Sequence, residues 1–243
     1  METEDTPTPR REVYDAGNKD TLPGTLVRSE GDGPSTDELV NSVYDALGST
    51  FDFFRDVYGR NSLDGEGGPL RATVHYREKF PNAFWGGERF VLGDGDGERF
   101  KVCPQEILDV VAAGMTRQIM NPQHLYAFEP GALSESIAEV FASFVKRHAL
   151  GQSADQADWL LGLGMIAPGI RVKALRSLAE PGTAHEDYSL GKDPQPAHME
   201  DCKEMSVQRD NGGVHINSGI PNRAFHLTAT AIGGNAWERA GRI

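Results

Sequence analysis

The stretch "DNGGVHINSG", residues 210–219, sets Asp210 five positions before His215 with Gly212 and Gly213 between them. A short glycine-containing turn lets a carboxylate bend back onto a histidine nitrogen. That fixes the tautomer and makes the imidazole a better proton donor to a developing negative charge. An Asp beside a surface His is nevertheless the commoner occurrence, so the pair alone does not define a site. Upstream, a loop rich in Pro, Gly and charge runs from about Pro181 to Arg209. Before it, Leu133, Ile137, Val140, Phe141 and Phe144 recur at three- to four-residue spacing, as do Ile107, Val110, Val111, Met115 and Ile119. These spacings predict helices over 131–150 and 105–120. The first of them, "GALSESIAEVF" (131–141), places Glu135 and Glu139 one turn apart on one face, either a solvated acidic face or a ligand with its supporting carboxylate.

Nearer the N-terminus, Leu39, Val43, Leu47, Thr50, Phe51 and Phe54 predict an amphipathic helix capped by Ser35 or Thr36 and ending near Tyr58-Gly59. "RATVHY" (71–76) and "RFVLGDGDGERF" (89–100) alternate as strands do. "GDGDG" (93–97) lacks the twelve-residue loop and terminal Glu of a calcium hand, and reads as a hairpin turn. Residues 1–36 are rich in Pro, Gly, Ser, Thr and acid and read as a mobile arm, with 14–31 able to lie along the body as an edge strand. The expected organisation is therefore α+β: an arm over 1–36, an α/β lobe over 37–120, and a helical lobe over 121–243.

Composition narrows the function classes. A chain of 243 residues with 38% hydrophobic content can bury a sizeable core. Its 24 basic against 36 acidic side chains leave a net charge of −12, which opposes the counterion release that drives nucleic-acid binding. No apolar run is long enough for a membrane span, and the charged start "METEDTPTPRREVYDAGNK" shows no signal peptide. Localisation is then either cytoplasmic or reached by a non-classical export route. Cys103 and Cys202 have neither metal-site nor disulfide-framework spacing.

Taken in order, "GRNSLDG", "VHY", "NAFWGG", "GDGDG", "DVV", "GALSESIAEVF", "ALRSL" and "DNGGVHINSGIPNRAF" resemble the thermolysin-like family of zinc metallopeptidases. "ADWLLG" and "QPAHM" are most similar to its protealysin-type branch. The resemblance spans roughly Tyr14 to Ile243. It implies a thermolysin-like two-lobed fold, with a β-rich N-terminal lobe, a central helix at the floor of a cleft, and a helical C-terminal lobe that reads as truncated at "AWERAGRI". A partner covering the incomplete lobe is one expectation from that truncation.

The resemblance also implies roles. Such helices carry HExxH, two histidines that bind zinc and a glutamate that activates the metal-bound water. Here "DVVAAGMTRQIM" (109–120) has Ala113 and Arg117 at the histidine positions and Gly114 at that of the general base. Glu135 corresponds to the third zinc ligand and Glu139 to its supporting carboxylate. An Arg117–Glu135 ion pair in place of the metal is expected, with zinc absent or weak. His215, Asp210 and Tyr126 match the groups that stabilise the tetrahedral intermediate. Asn82 and Ala83 match the strand that pairs with a bound peptide, and Arg176 an arginine that holds a substrate carbonyl. Where calcium-binding relatives cluster carboxylates, this chain has Asp109 and Asp158 with Lys146 and Leu163, so Lys146 is expected to neutralise both aspartates without calcium. The expected function is a catalytically inactive homologue that still binds an extended peptide. The alternative is an active zinc endopeptidase using a displaced site such as Glu135, His124 and His215.

Overall fold

The computed structural model describes residues 6–120 and 126–242. Five short strands form one sheet: β1 (Arg11–Asp15), β2 (Thr25–Ser29), β3 (Leu70–Val74), β4 (Ala83–Trp85) and β5 (Phe90–Leu92), in the order β2-β1-β3-β5-β4. The β1/β3 and β3/β5 pairs are parallel, while β2 and β4 run antiparallel to their neighbours and form the two edges.

The arm expected over 1–36 is corrected by this sheet. β1 is paired on both sides and Val13 is fully buried in the core, so 11–29 supplies two strands. The misreading is physical: each strand is only five residues long and is set among turn residues, too short a run for alternation to stand out.

Helix α1 (Glu38–Tyr58) lies across the sheet. Its cap is Asp37, not Ser35 or Thr36: the Asp37 carboxylate accepts from Leu39 N at 2.8 Å and Val40 N at 3.3 Å. Gly59, at φ 66°, closes the helix in the left-handed conformation. The N-terminal half of α1 packs Val40, Val43 and Leu47 against Val13, Leu70, Ala72 and Leu92 of the sheet. Its C-terminal Phe53 and Phe54 enter a second core with Val140, Phe144, Trp159 and Trp237. Helix α2 (Leu108–Met120) runs between the two cores, giving Val111 and Met115 to the first and Ala112 to the second. Each core is built from side chains far apart in sequence, which ties both lobes to one central helix.

Beyond α2 come α3 (Phe128–Leu150), the short pair β6 (Leu160–Leu161) and β7 (Arg176–Ser177), the small pair β8 (Glu186–Asp187) and β9 (Gly191–Lys192), then α4 (Asp210–Asn217) and α5 (Gly219–Ile232). The face of α3 that carries Glu135 and Glu139 is buried, so a solvated acidic face is excluded. Leu133 and Ile137, expected in the core, point outward at 53% and 44% exposure, and Leu227 of α5 is exposed as well. No helix among the described residues is long and apolar enough to cross a membrane.

Candidate functional site

A cleft of about 640 Å³ lies between the lobes. Its floor is one face of α2: Val110, Ala113, Gly114 and Arg117 fall at successive helical spacings and all line it. The edge strand β4 forms one wall together with Asn82, which precedes it. Leu161, Leu175 and Arg176 form the opposite wall, and Tyr126 and His215 close the far end.

Glu135 has no exposed surface and is the centre of a polar cluster. Arg117 grips it in two places, Nε donating to Oε1 at 2.9 Å and Nη2 to Oε2 at 2.6 Å. Tyr126 Oη also donates to Oε1. Burial disfavours the Glu135 carboxylate, but the hydrogen bonds and charge of Arg117 outweigh it and hold the acid below its ordinary range. Burial, then the charge of Glu135, pushes the Tyr126 phenol upward, so it remains a donor. His215 Nε2 stands 3.4 Å from Tyr126 Oη and 3.6 Å from Glu135 Oε2.

The backbone explains how His215 is aimed. Asp210, Asn211, Gly212 and Gly213 all have positive φ, and the chain doubles back within four residues. The Asp210 carboxylate thereby accepts from His215 N at 2.9 Å and Ile216 N at 3.2 Å, and meets His215 Nδ1 at 2.5 Å. Gly212 is required twice over: its φ is 83°, and a Cβ there would lie 2.3 Å from the Phe128 ring.

Behind Glu135, Glu139 receives Asn222 Nδ2 at 2.5 Å on one oxygen and faces Arg176 Nε at 3.5 Å on the other. Burial raises its acid above the ordinary range, with Arg176 and Asn222 opposing. Gln195 donates to the His215 carbonyl at 2.9 Å and to Ser218 Oγ at 3.0 Å. Sequence reasoning passed over Asn222 and Gln195; both sit in stretches whose role is set by distant partners, and neither has a periodic signal.

The structure brings Ala113, Gly114, Arg117, Tyr126, Glu135, Asp210 and His215 to one end of the cleft and Asn82, Ala83 and Arg176 to its walls. The donor set does not suit zinc. A zinc site needs three protein ligands, whereas here both oxygens of Glu135 are engaged, Glu139, which also lines the cleft, is held by Asn222 and Arg176, and Asp109 is bound by Lys146. A guanidinium stands where a second ligand would be, and among the described residues no three His, Cys, Asp or Glu side chains are grouped to hold a metal. His124 lies outside the described residues.

The expected neutralisation of both Asp109 and Asp158 by Lys146 is corrected. Lys146 Nζ reaches Asp109 Oδ2 at 3.6 Å, but Asp158 is taken by Arg147, the next residue along α3, which projects in a different direction.

Comparison with known proteins places this geometry. The family described as thermolysin metallopeptidase, catalytic domain, matches residues 2–121, and thermolysin metallopeptidase, alpha-helical domain, matches 123–243. The chain is 50% identical to an "Extracellular metalloprotease" of Pectobacterium carotovorum subsp. carotovorum, over 96% of this chain and 67% of that protein. It is 48% identical to "Protease PrtS" of Photorhabdus sp., over 96% of this chain and 63% of that protein. For the "Extracellular minor metalloprotease" of Serratia marcescens the figures are 44% identity, 82% and 56%. The chain thus spans roughly three fifths of the length of these relatives. Among solved structures, the precursor of protealysin, a metalloproteinase from Serratia proteamaculans, superposes with a TM-score of 0.93 at 49% identity, covering all of this chain and 75% of that one. The chain belongs to the thermolysin family of metallopeptidases, in its protealysin-type branch.

Proposed function

We propose that this chain is a non-catalytic member of its family, which binds an extended peptide in the cleft without hydrolysing it. The observation that carries the reading is the two-point grip of Arg117 on Glu135. A cation that stays protonated under all ordinary conditions holds the carboxylate that a zinc ion would need. Ala113 and Gly114 offer neither a ligand nor a base. Without metal-activated water and the positive charge that stabilises the transition state, the main sources of peptidase rate are missing. His215 and Tyr126 can stabilise an oxyanion only after something has attacked the carbonyl.

Peptide binding asks for less. An edge strand offers backbone groups to an added strand, and β4 forms one such edge along the cleft wall. Arg176 and His215 supply polar contacts, while Val110, Leu161 and Leu175 supply apolar ones. An extracellular setting fits this reading, since two of the relatives are named extracellular proteases.

Elemental analysis of purified protein, beside casein cleavage with and without a chelator, tests the proposal. Less than one tenth of an equivalent of zinc (an order-of-magnitude threshold) and no chelator-sensitive cleavage are expected. Stoichiometric zinc with chelator-sensitive cleavage would overturn it.

A further inference from the structure

Gly114 occupies the general-base position on the cleft face of α2, and it is buried. A Cβ built on it would lie 2.6 Å from both Cδ2 and Cε2 of Phe90. That is well inside any tolerated carbon–carbon contact, so a side chain at 114 demands that the ring or the helix move. Neither has room. Phe90 is 2% exposed and belongs to the first core, and its strand is hydrogen-bonded on both sides, with Phe90 opposite Ala72 and Trp85. On the other side, α2 is held by Val111 and Met115 in the same core and by Ala112 in the second.

We infer that Phe90 is a second and independent barrier to catalysis: its ring fills the space in which any side chain at position 114 would begin. The inference rests on reading the chain as non-catalytic and adds what maintains that state. Loss of the base is then more than a missing residue, because a ring from the sheet occupies the adjoining space. Glycine at 114 and phenylalanine at 90 form a matched pair, and restoring one position requires shortening the other.

A double-mutant cycle decides the matter. Gly→Ala in a helix interior ordinarily stabilises, because it reduces the freedom of the unfolded chain and favours the helix. Gly114→Ala is expected to lower the Tm in the Phe90 background and to raise it in the Phe90→Val background, since Val lacks the ring atoms that clash. A rise of equal size in both backgrounds would overturn the inference. The same pairing predicts activity. Ala113→His, Gly114→Glu and Arg117→His together should cleave casein at least tenfold more slowly than the same three changes combined with Phe90→Val. Equal rates, including none from either, would remove the catalytic half of the inference. Zinc content and cleavage by the unaltered protein are read separately. If that protein proves to be an active zinc enzyme, the non-catalytic reading falls while the steric coupling is still decided by the cycle.

Discussion

Lys146 Nζ lies 3.6 Å from Asp109 Oδ2, a carboxylate almost wholly withdrawn from solvent at the start of the central helix. The same oxygen accepts from Gly162 N at 3.1 Å, and Lys146 also donates to the Leu160 carbonyl at 3.0 Å. Burial pushes the Asp109 acid upward and the lysine pulls it back. The ammonium thus ties α2, α3 and β6 together.

Removing that ammonium leaves the buried Asp109 carboxyl with the Gly162 N–H but no cation to offset its burial. Lys146→Met is expected to cost about 3 kcal/mol, and adding Asp109→Asn to recover most of the loss. Urea unfolding of the two variants measures both, and a Lys146→Met protein as stable as the parent would refute the argument. Calcium is expected to leave the Tm unchanged, since a ligand stabilises only what it binds.

Arg117 plays the equivalent part for Glu135. Its side chain keeps 34% of its exposure, so solvent screens part of the charge and the expected cost falls short of that for a fully buried pair. Arg117→Gln should destabilise by about 2 kcal/mol while leaving the far-UV spectrum unchanged. Arg117→His should lose similar stability without acquiring zinc, because Ala113 still supplies no second imidazole. Equimolar zinc in that single variant would show that Glu135 and one histidine suffice, contrary to the ligand count argued above.

The fold was legible where the sequence carried long periodic runs and where ordered motifs fixed the register. α1 and α3 are more than twenty residues each, and their apolar spacing announced them. β1 was not legible, because five residues ending in a turn carry little periodic information, and only pairing with β2 and β3 makes Val13 a core residue. At the site, the absence of His and Glu from α2 could be read directly, whereas Arg117 opposite Glu135 was legible only through the family resemblance. The contact between Phe90 and Gly114 could not, because 24 residues and a change of element separate them and a glycine gives no sign of what lies above it. Lys146 and Arg147 show the same limit at finer scale: adjacent cations on one helix serve different aspartates, and only side-chain direction decides which.

The peptide-binding reading makes its own demand on Asn82. Its carbonyl accepts from Gly93 N at 3.1 Å, anchoring the start of β4, while its side chain is exposed at the mouth of the cleft. For a peptide laid along β4, Asn82→Ala removes one side-chain hydrogen bond, worth roughly fivefold in Kd, with only a small fall in Tm from losing the exposed contact in which Asn82 Oδ1 accepts from Ala83 N at 2.8 Å. Blocking the backbone amides of the peptide by N-methylation should weaken binding more than the Asn82 change, since strand addition relies on main-chain groups. Tryptophan fluorescence reports on this directly, because Trp85 lines the cleft whereas Trp159 and Trp237 are buried. A peptide that binds equally well when N-methylated would place its contacts elsewhere.

His75 supplies a pH dependence that is independent of the cleft. Its Nδ1 meets Asp94 Oδ1 at 2.7 Å and its Nε2 meets Asp37 Oδ2 at 2.9 Å, joining the cap of α1 to the end of β5. The hydrogen bond to Asp94 comes first and the charges of both aspartates add to it, against burial, so the imidazole is pushed up to about 9. Because the folded value is raised above the unfolded value of about 6.5, the stabilisation is complete below pH 6.5. It shrinks as pH rises toward 9 and is gone above that. After discounting for the exposure of the two aspartates, about 1–2 kcal/mol is at stake, or a fall of several degrees in Tm between pH 6.5 and 9.5. His75 has φ 53°, a conformation that Asn tolerates better than most residues, so His75→Asn tests the charge without adding backbone strain. Groups common to both proteins titrate in both, and the difference between the two Tm profiles isolates the imidazole. The variant should lie below the parent at pH 6.5 and converge with it by pH 9.5; parallel profiles would mean that His75 is not held in its charged form.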